Sequence, residues 1–218
     1  MNIQLQDLTV TIMGTSRYNG GRYDMARVET LLVTTEPIPT EMSWYVPAGV
    51  SIPNEVLALF NATGLKMQPT LEENVLAGTD DIREQAQQGE LQEVQMDAAK
   101  FLMRAVLKKT ILVPLPDSPN TYHLSYEHKV YPVKDNPSAF DFRITLPFDG
   151  LILNPSGGRV QVSVLCPIGA QIDPNETLGI DDHGQEIAEQ VVHLANTNRF
   201  AVNFGYQIDP EFIIRYQY

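Results

Sequence analysis

Cysteine is nearly absent from this chain of 218 residues: Cys166 stands alone, which excludes an intrachain disulfide. Charge is scarce as well. Charged residues make up 19% of the sequence, below the roughly 25% of an ordinary globular domain. Gln, Asn, Thr and Ser fill the polar complement. A surface poor in Lys and Glu is weakly protected against association, and subunit interfaces lose charge at their centres. Basic residues are the scarcer sign, with 15 Lys and Arg against 27 Asp and Glu and a net charge of −12. Phosphate is held by clustered cations, so neither general nucleic-acid binding nor docking on an anionic membrane is expected. The densest basic group, Lys100, Arg104, Lys108 and Lys109, falls near the end of an expected helix, where it complements the dipole. No apolar run approaches the roughly 20 residues of a membrane span. The alternating segment Met1 to Met13 lacks the basic start and apolar run of a signal peptide. Synthesis in a reducing cytoplasm, with incorporation into a virion as an option, is the expected location.

What the chain does have is alternation, with 43% hydrophobic residues to build a core. Ile3 and Leu5 alternate, then the apolar register slips to Leu8, Val10 and Ile12; one extra residue around Gln6–Asp7, a β-bulge, would do this. Asn19-Gly20 within residues 17–23 signals a hairpin, because both residues tolerate positive φ. A returning strand is expected over 27–35 and a short one over 42–46. A helix is expected from Pro53 to Phe60, stopped by Gly64. Residues 67–97 hold eight acidic residues against one Arg and are rich in Gln; Gly78 and Gly89 interrupt helix there, and Leu71, Val75, Leu76 and Ile82 offer anchors. A better helix is expected over 91–109, with Leu91, Val94, Ala98, Phe101, Leu102 and Ala105 on one apolar face.

Strands are expected over 111–115, 122–133 and 140–146. The segments 151–154 and 159–165 flank Pro155-Ser156-Gly157-Gly158 as a hairpin. A helix over 184–195 would bury Ile187, Val191 and Leu194. Two aromatic strands close the chain on either side of Asp209-Pro210. The expected class is β-rich α+β: an antiparallel sheet or sandwich with about three helices and an acidic Gln-rich excursion. The expected organisation is a β-rich segment 1–66, an excursion or linker 67–97 and an α+β region 98–218, with the first and last as one composite domain in the alternative.

Chemistry-bearing residues are few. His123 and His128 lie five apart on one strand and so face opposite ways, a poor metal pair. Asp181-Asp182-His183 lacks the ligand spacing of a zinc site or an EF-hand; a solvated loop capping the next helix through Asp182 explains it. Asp80–Asp81 sit in an acidic run with nothing to separate their pKa values. Cys166, at the end of an apolar strand, reads as a buried inert thiol. No catalytic or nucleotide motif occurs, so no enzyme activity, cofactor or metal is expected. The residues expected to reach a partner are Arg17, Tyr18, Arg22 and Tyr23 at the hairpin tip and Tyr216 and Tyr218 at the last strand. The leading expectation is a structural or assembly subunit of a larger particle, such as a virus or phage virion, whose partners are copies of itself or other subunits. The alternatives are a ligand-binding β-sandwich, with exposed Tyr and Trp44 stacking on sugars, and an enzyme whose site assembles from scattered residues.

Overall fold

The computed structural model describes residues 1–77, 79, 81–206 and 210–218. Gly78, Asp80 and Asp209 lie outside the described residues, as does the side chain of Leu76. The chain is β-rich α+β, 46% strand and 19% helix. In chain order its first elements are β1 (Asn2–Met13), β2 (Asp24–Thr34), β3 (Trp44–Pro47), α1 (Asn54–Thr63), β4 (Thr70–Leu71), α2 (Glu72–Leu76), α3 (Ile82–Gln88), α4 (Leu91–Val106) and β5 (Leu107–Thr110). There follow β6 (Pro114–Leu115), β7 (Ser118–Val130), β8 (Pro132–Val133), β9 (Asn136–Thr145), β10 (Ile152–Leu153) and β11 (Arg159–Leu165). The last are β12 (Gln171–Ile172), β13 (Leu178–Ile180), β14 (Glu186–Ile187), β15 (Gln190–Leu194), β16 (Arg199–Tyr206) and β17 (Glu211–Gln217). They form two compact units, Met1–Ile38 with Leu112–Tyr218 and Pro39–Ile111. Residues 66 and 97 both fall inside the second unit.

In the first unit one sheet runs β15-β16-β11-β1-β2-β7-β6, with β10 also on β1. The other runs β14-β13-β17-β9-β8, with β12 on β17. Their apolar faces meet: the ring of His128 on β7 stacks on Phe142 of β9, and Phe204 of β16 lies against Phe212 of β17. The face on β1 is set by a bulge. Ile3 pairs with Thr34 and Leu5 with Val33, leaving Gln4 as the extra residue, two positions earlier than the apolar pattern suggested. Beyond it Gln6, Leu8, Val10 and Ile12 all point inward. Gln6 hides the slip in the sequence, because the first inward residue after the bulge is polar. Its Oε1 accepts the Phe148 N–H at 3.2 Å. Register then builds continuous rows, for example Val164 on β11, Val10, Val28 on β2 and Tyr126 on β7, each buried. An aliphatic side chain in such a row contributes roughly 1.5–3 kcal/mol.

The expected hairpin around residues 155–158 does not form. β10 and β11 both run parallel to β1, one after the other. The loop between them bulges out opposite Gln4, whose side chain holds it: Gln4 Nε2 donates to the Gly157 carbonyl and Gln4 Oε1 accepts from Asn154 Nδ2. The helix expected over 184–195 is likewise absent. β14 and β15 occupy it, and Val191 and Leu194 are exposed. Pairing of β15 with β16 outweighs the helical spacing of these residues.

The second unit holds the sheet β4-β3-β5 and the four helices. Trp44, Val46, Phe60, Ala99 and Met103 are in its core. Gly64 ends α1 at φ 71°, with the Leu65 N–H returning to the Phe60 carbonyl, the left-handed stop expected of it. Helix α4 ends at Val106 rather than residue 109. The sheet takes Lys108 and Lys109 as partners of Val46 and Tyr45, and Lys109 binds both oxygens of Glu72. The basic group is therefore split between a helix and a strand. In α4, Asp97, Ala99, Met103 and Val106 are buried, whereas Leu91 and Phe101 of the apolar face read from the sequence are 76% and 61% exposed.

The core of the first unit contains a polar flaw. Among the described residues the buried Nδ1 of His128 and Oη of Tyr126 have no hydrogen-bond partner, and the two rings stack with centroids 6.0 Å apart. Burial pushes the His128 pKa down to about 4. The unfolded chain, with a histidine near 6.5, binds this proton first, so stability is full above about pH 6.5 and falls as pH drops toward 4. His128→Phe keeps the ring contacts and removes the orphaned nitrogen. Between pH 7 and pH 4 the wild type is expected to lose about 3 kcal/mol more stability than this variant, measured by urea unfolding; equal losses would show that His128 is not desolvated.

Candidate interaction surface around Asp24

Strand β1 stops at Gly14, where a Cβ would stand 2.5 Å from the Tyr218 hydroxyl oxygen. Any larger residue here would push the Tyr218 hydroxyl from its place. The chain then makes a 3₁₀ turn over Thr15–Tyr18 and reverses through Gly20 and Gly21, both at φ 77°. This is a wider connection than a two-residue hairpin, and side chains tie it together. Thr15 Oγ1 and Asn19 Nδ2 both donate to the Tyr23 carbonyl, and Asn19 Oδ1 accepts the Arg22 N–H. An Asn at this position thus serves a local hydrogen bond as well as the turn.

Below the loop lies Asp24, the first residue of β2 and 0% exposed. Its carboxylate accepts three donors: the Ser16 N–H at 2.8 Å and the hydroxyls of Tyr216 and Tyr218, each at 2.9 Å. A buried carboxylate is tolerated only when its oxygens are satisfied in this way. Burial, and then the Asp24 charge, raises the pKa of both tyrosines, keeping them protonated as donors. The Arg17 guanidinium stacks over the Tyr218 ring, 4.2 Å from its centroid. Asp24 therefore joins the 14–23 loop to the final strand.

The six residues singled out in the sequence fall into distinct places. Arg17 and Tyr218 meet in the stack just described, and Tyr216 is buried beneath them as an anchor of Asp24. Tyr23 is half-buried against Tyr131, with the Lys129 ammonium over its ring. Arg22 is exposed, and Tyr18 is 90% exposed. The outward face is thus Tyr18, Arg22 and Arg17, carried on a loop whose underside is hydrogen-bonded. Asp24 itself escaped the sequence reading. Its signal was phase: Asp24 shares the inward alternation of Ala26, Val28, Thr30 and Leu32, where a carboxylate demands donors.

Other chemical candidates have structural partners. Side-chain ligand atoms of Asp181, Asp182 and His183 lie within 4.8 Å of one another. Yet Asp181 already accepts the Gln185 and His183 N–H groups and the Tyr206 hydroxyl, which, the Gln185 bond foremost, lowers its pKa. These bonds form the turn between β13 and β14, which stands where a helix capped by Asp182 was expected. His123 is exposed and His128 buried on opposite faces of β7. Cys166 is buried and its pKa is pushed up to about 12, leaving a neutral thiol. Trp44, offered as a sugar platform, is buried in the second unit. No protein-family model matches the chain, and no curated protein sequence matches it.

Asp24→Ala leaves one amide and two hydroxyls without their acceptor and is expected to cost about 3–5 kcal/mol in denaturant unfolding. Tyr218→Phe removes one bond and is expected to cost about 1–2 kcal/mol. An Asp24→Ala midpoint equal to wild type would dismiss the anchoring role.

Proposed function

We propose that the protein is a structural subunit of a larger protein assembly, of the kind that repeats in a virus or phage virion, and that the Tyr18–Arg22 loop is one of its contact points. The carrying observation is the pairing of a 90% exposed Tyr18 with a loop base fixed on a fully buried carboxylate. A large aromatic presented on an ordered support costs little entropy to bind, and Tyr and Arg dominate the energies of protein interfaces. The open edge at β15 supports the same reading. Among the described residues it pairs only with β16, and it exposes Val191, Val192 and Leu194. It carries none of the Lys, Pro or bulge devices that blunt an edge.

Light-scattering mass measurement of the purified chain, and native mass analysis of an extract, test the proposal. A mass several times the 24.4 kDa of one chain is expected. The double variant Tyr18→Ala, Arg22→Ala should reduce it while changing unfolding stability by no more than about 0.5 kcal/mol, as for other exposed positions. A chain that stays monomeric in both settings would refute the assembly function.

A further inference from the structure

Helix α4 has more apolar surface than its unit buries: Ala99, Met103 and Val106 are buried, and a second apolar face is left outward. Its buried side carries Asp97, and Lys100 on the neighbouring turn pairs with Asp97 at 3.4 Å and donates to the Ala77 carbonyl. Its opposite side is a continuous apolar stripe of Leu91, Val94, Ala98, Phe101, Leu102 and Ala105, spaced as one helical face. Leu91, Phe101 and Leu102 are 76%, 61% and 37% exposed, and Ala105 is exposed too. Single exposed apolar residues need no explanation, but a contiguous face does.

We propose that this face is covered by α4 of a second copy of the chain, the two helices running antiparallel about a twofold axis at Ala98. This deepens, and rests on, the reading of the protein as an assembly subunit. Two features select the occupant. First, the stripe is size-balanced about Ala98: reversal sets Leu91 against Ala105 and Val94 against Leu102, while Ala98 meets Ala98, where small side chains let the helices approach. Second, the charges divide along the axis. The exposed Glu90 and Glu93 stand at the start of α4 and the half-buried Arg104 near its end. In an antiparallel pair the same flank of each helix faces its counterpart, so the acidic start of one copy lies beside Arg104 of the other. The opposed helix dipoles add to this. A lipid surface would gain nothing from this arrangement, and the net charge of −12 opposes an anionic one.

Sixteen residues of helix make a face about 24 Å long and about 10 Å wide. That is well short of the roughly 800 Å² per partner of a stable dimer, so the pair alone is weak and concentration-dependent. In sedimentation of the full chain carrying Tyr18→Ala and Arg22→Ala, which removes the loop contact, the average mass is expected to rise toward two chains between about 1 μM and 1 mM, the range of such weak contacts. Phe101→Asp is expected to weaken the pairing at least tenfold with unchanged circular dichroism. Ala98→Cys is expected to crosslink to a dimer on oxidation, the native Cys166 being buried, whereas Glu93→Cys, off the stripe, is not. If the chain assembles but Phe101→Asp assembles equally and Ala98→Cys fails to crosslink, the α4 contact is wrong and the assembly function stands. If the wild type is monomeric throughout and in native extract, both fall. Binding of the wild type to phosphatidylcholine–phosphatidylglycerol vesicles, lost in Phe101→Asp, would overturn the second copy as the occupant.

Discussion

A strand alternates its side chains, so one inserted residue reverses every face beyond it. Gln4 is that residue in β1. From it follow the inward positions of Leu8, Val10 and Ile12, and, through pairing, the inward rows on β2, β11 and β7. The same residue holds the loop that separates β10 from β11. A local defect is thus a register pin for the larger sheet. It also brings an amide, Gln6, into the core, where the Phe148 N–H meets its oxygen.

Asp24 plays the corresponding part at the edge of the core. A buried carboxylate cannot remain without donors, and these come from the turn after β1 and from the last strand. Parts of the chain almost two hundred residues apart are thereby held around one charge. The arrangement links stability to the proposed function, since the loop presenting Tyr18 and Arg22 rests on it.

Helix α4 shows how tertiary packing selects one of two apolar faces. Lys100 finds Asp97 and a backbone carbonyl, while Lys109 on β5 pairs with Glu72 at the start of α2. The buried side of α4 thus combines Ala99, Met103 and Val106 with one paired charge, and a second apolar face is left outward. A bare second apolar face is the feature on which the proposed pairing rests.

Several features were legible in the residues alone because they depend on local periodicity or on one backbone constraint. The β-rich class, the stop of α1 at Gly64, the slip in β1 and the opposite facing of His123 and His128 are of this kind. Non-local pairing overrode the rest. β16 draws residues 190–194 into a strand despite their helical spacing, and β3 draws Lys108 and Lys109 out of a helix. β1 takes both arms of an apparent hairpin as parallel neighbours. Periodicity tells which residues form a face. Only the tertiary structure decides what that face meets, because the two tyrosine donors of Asp24 come from a strand almost two hundred residues away.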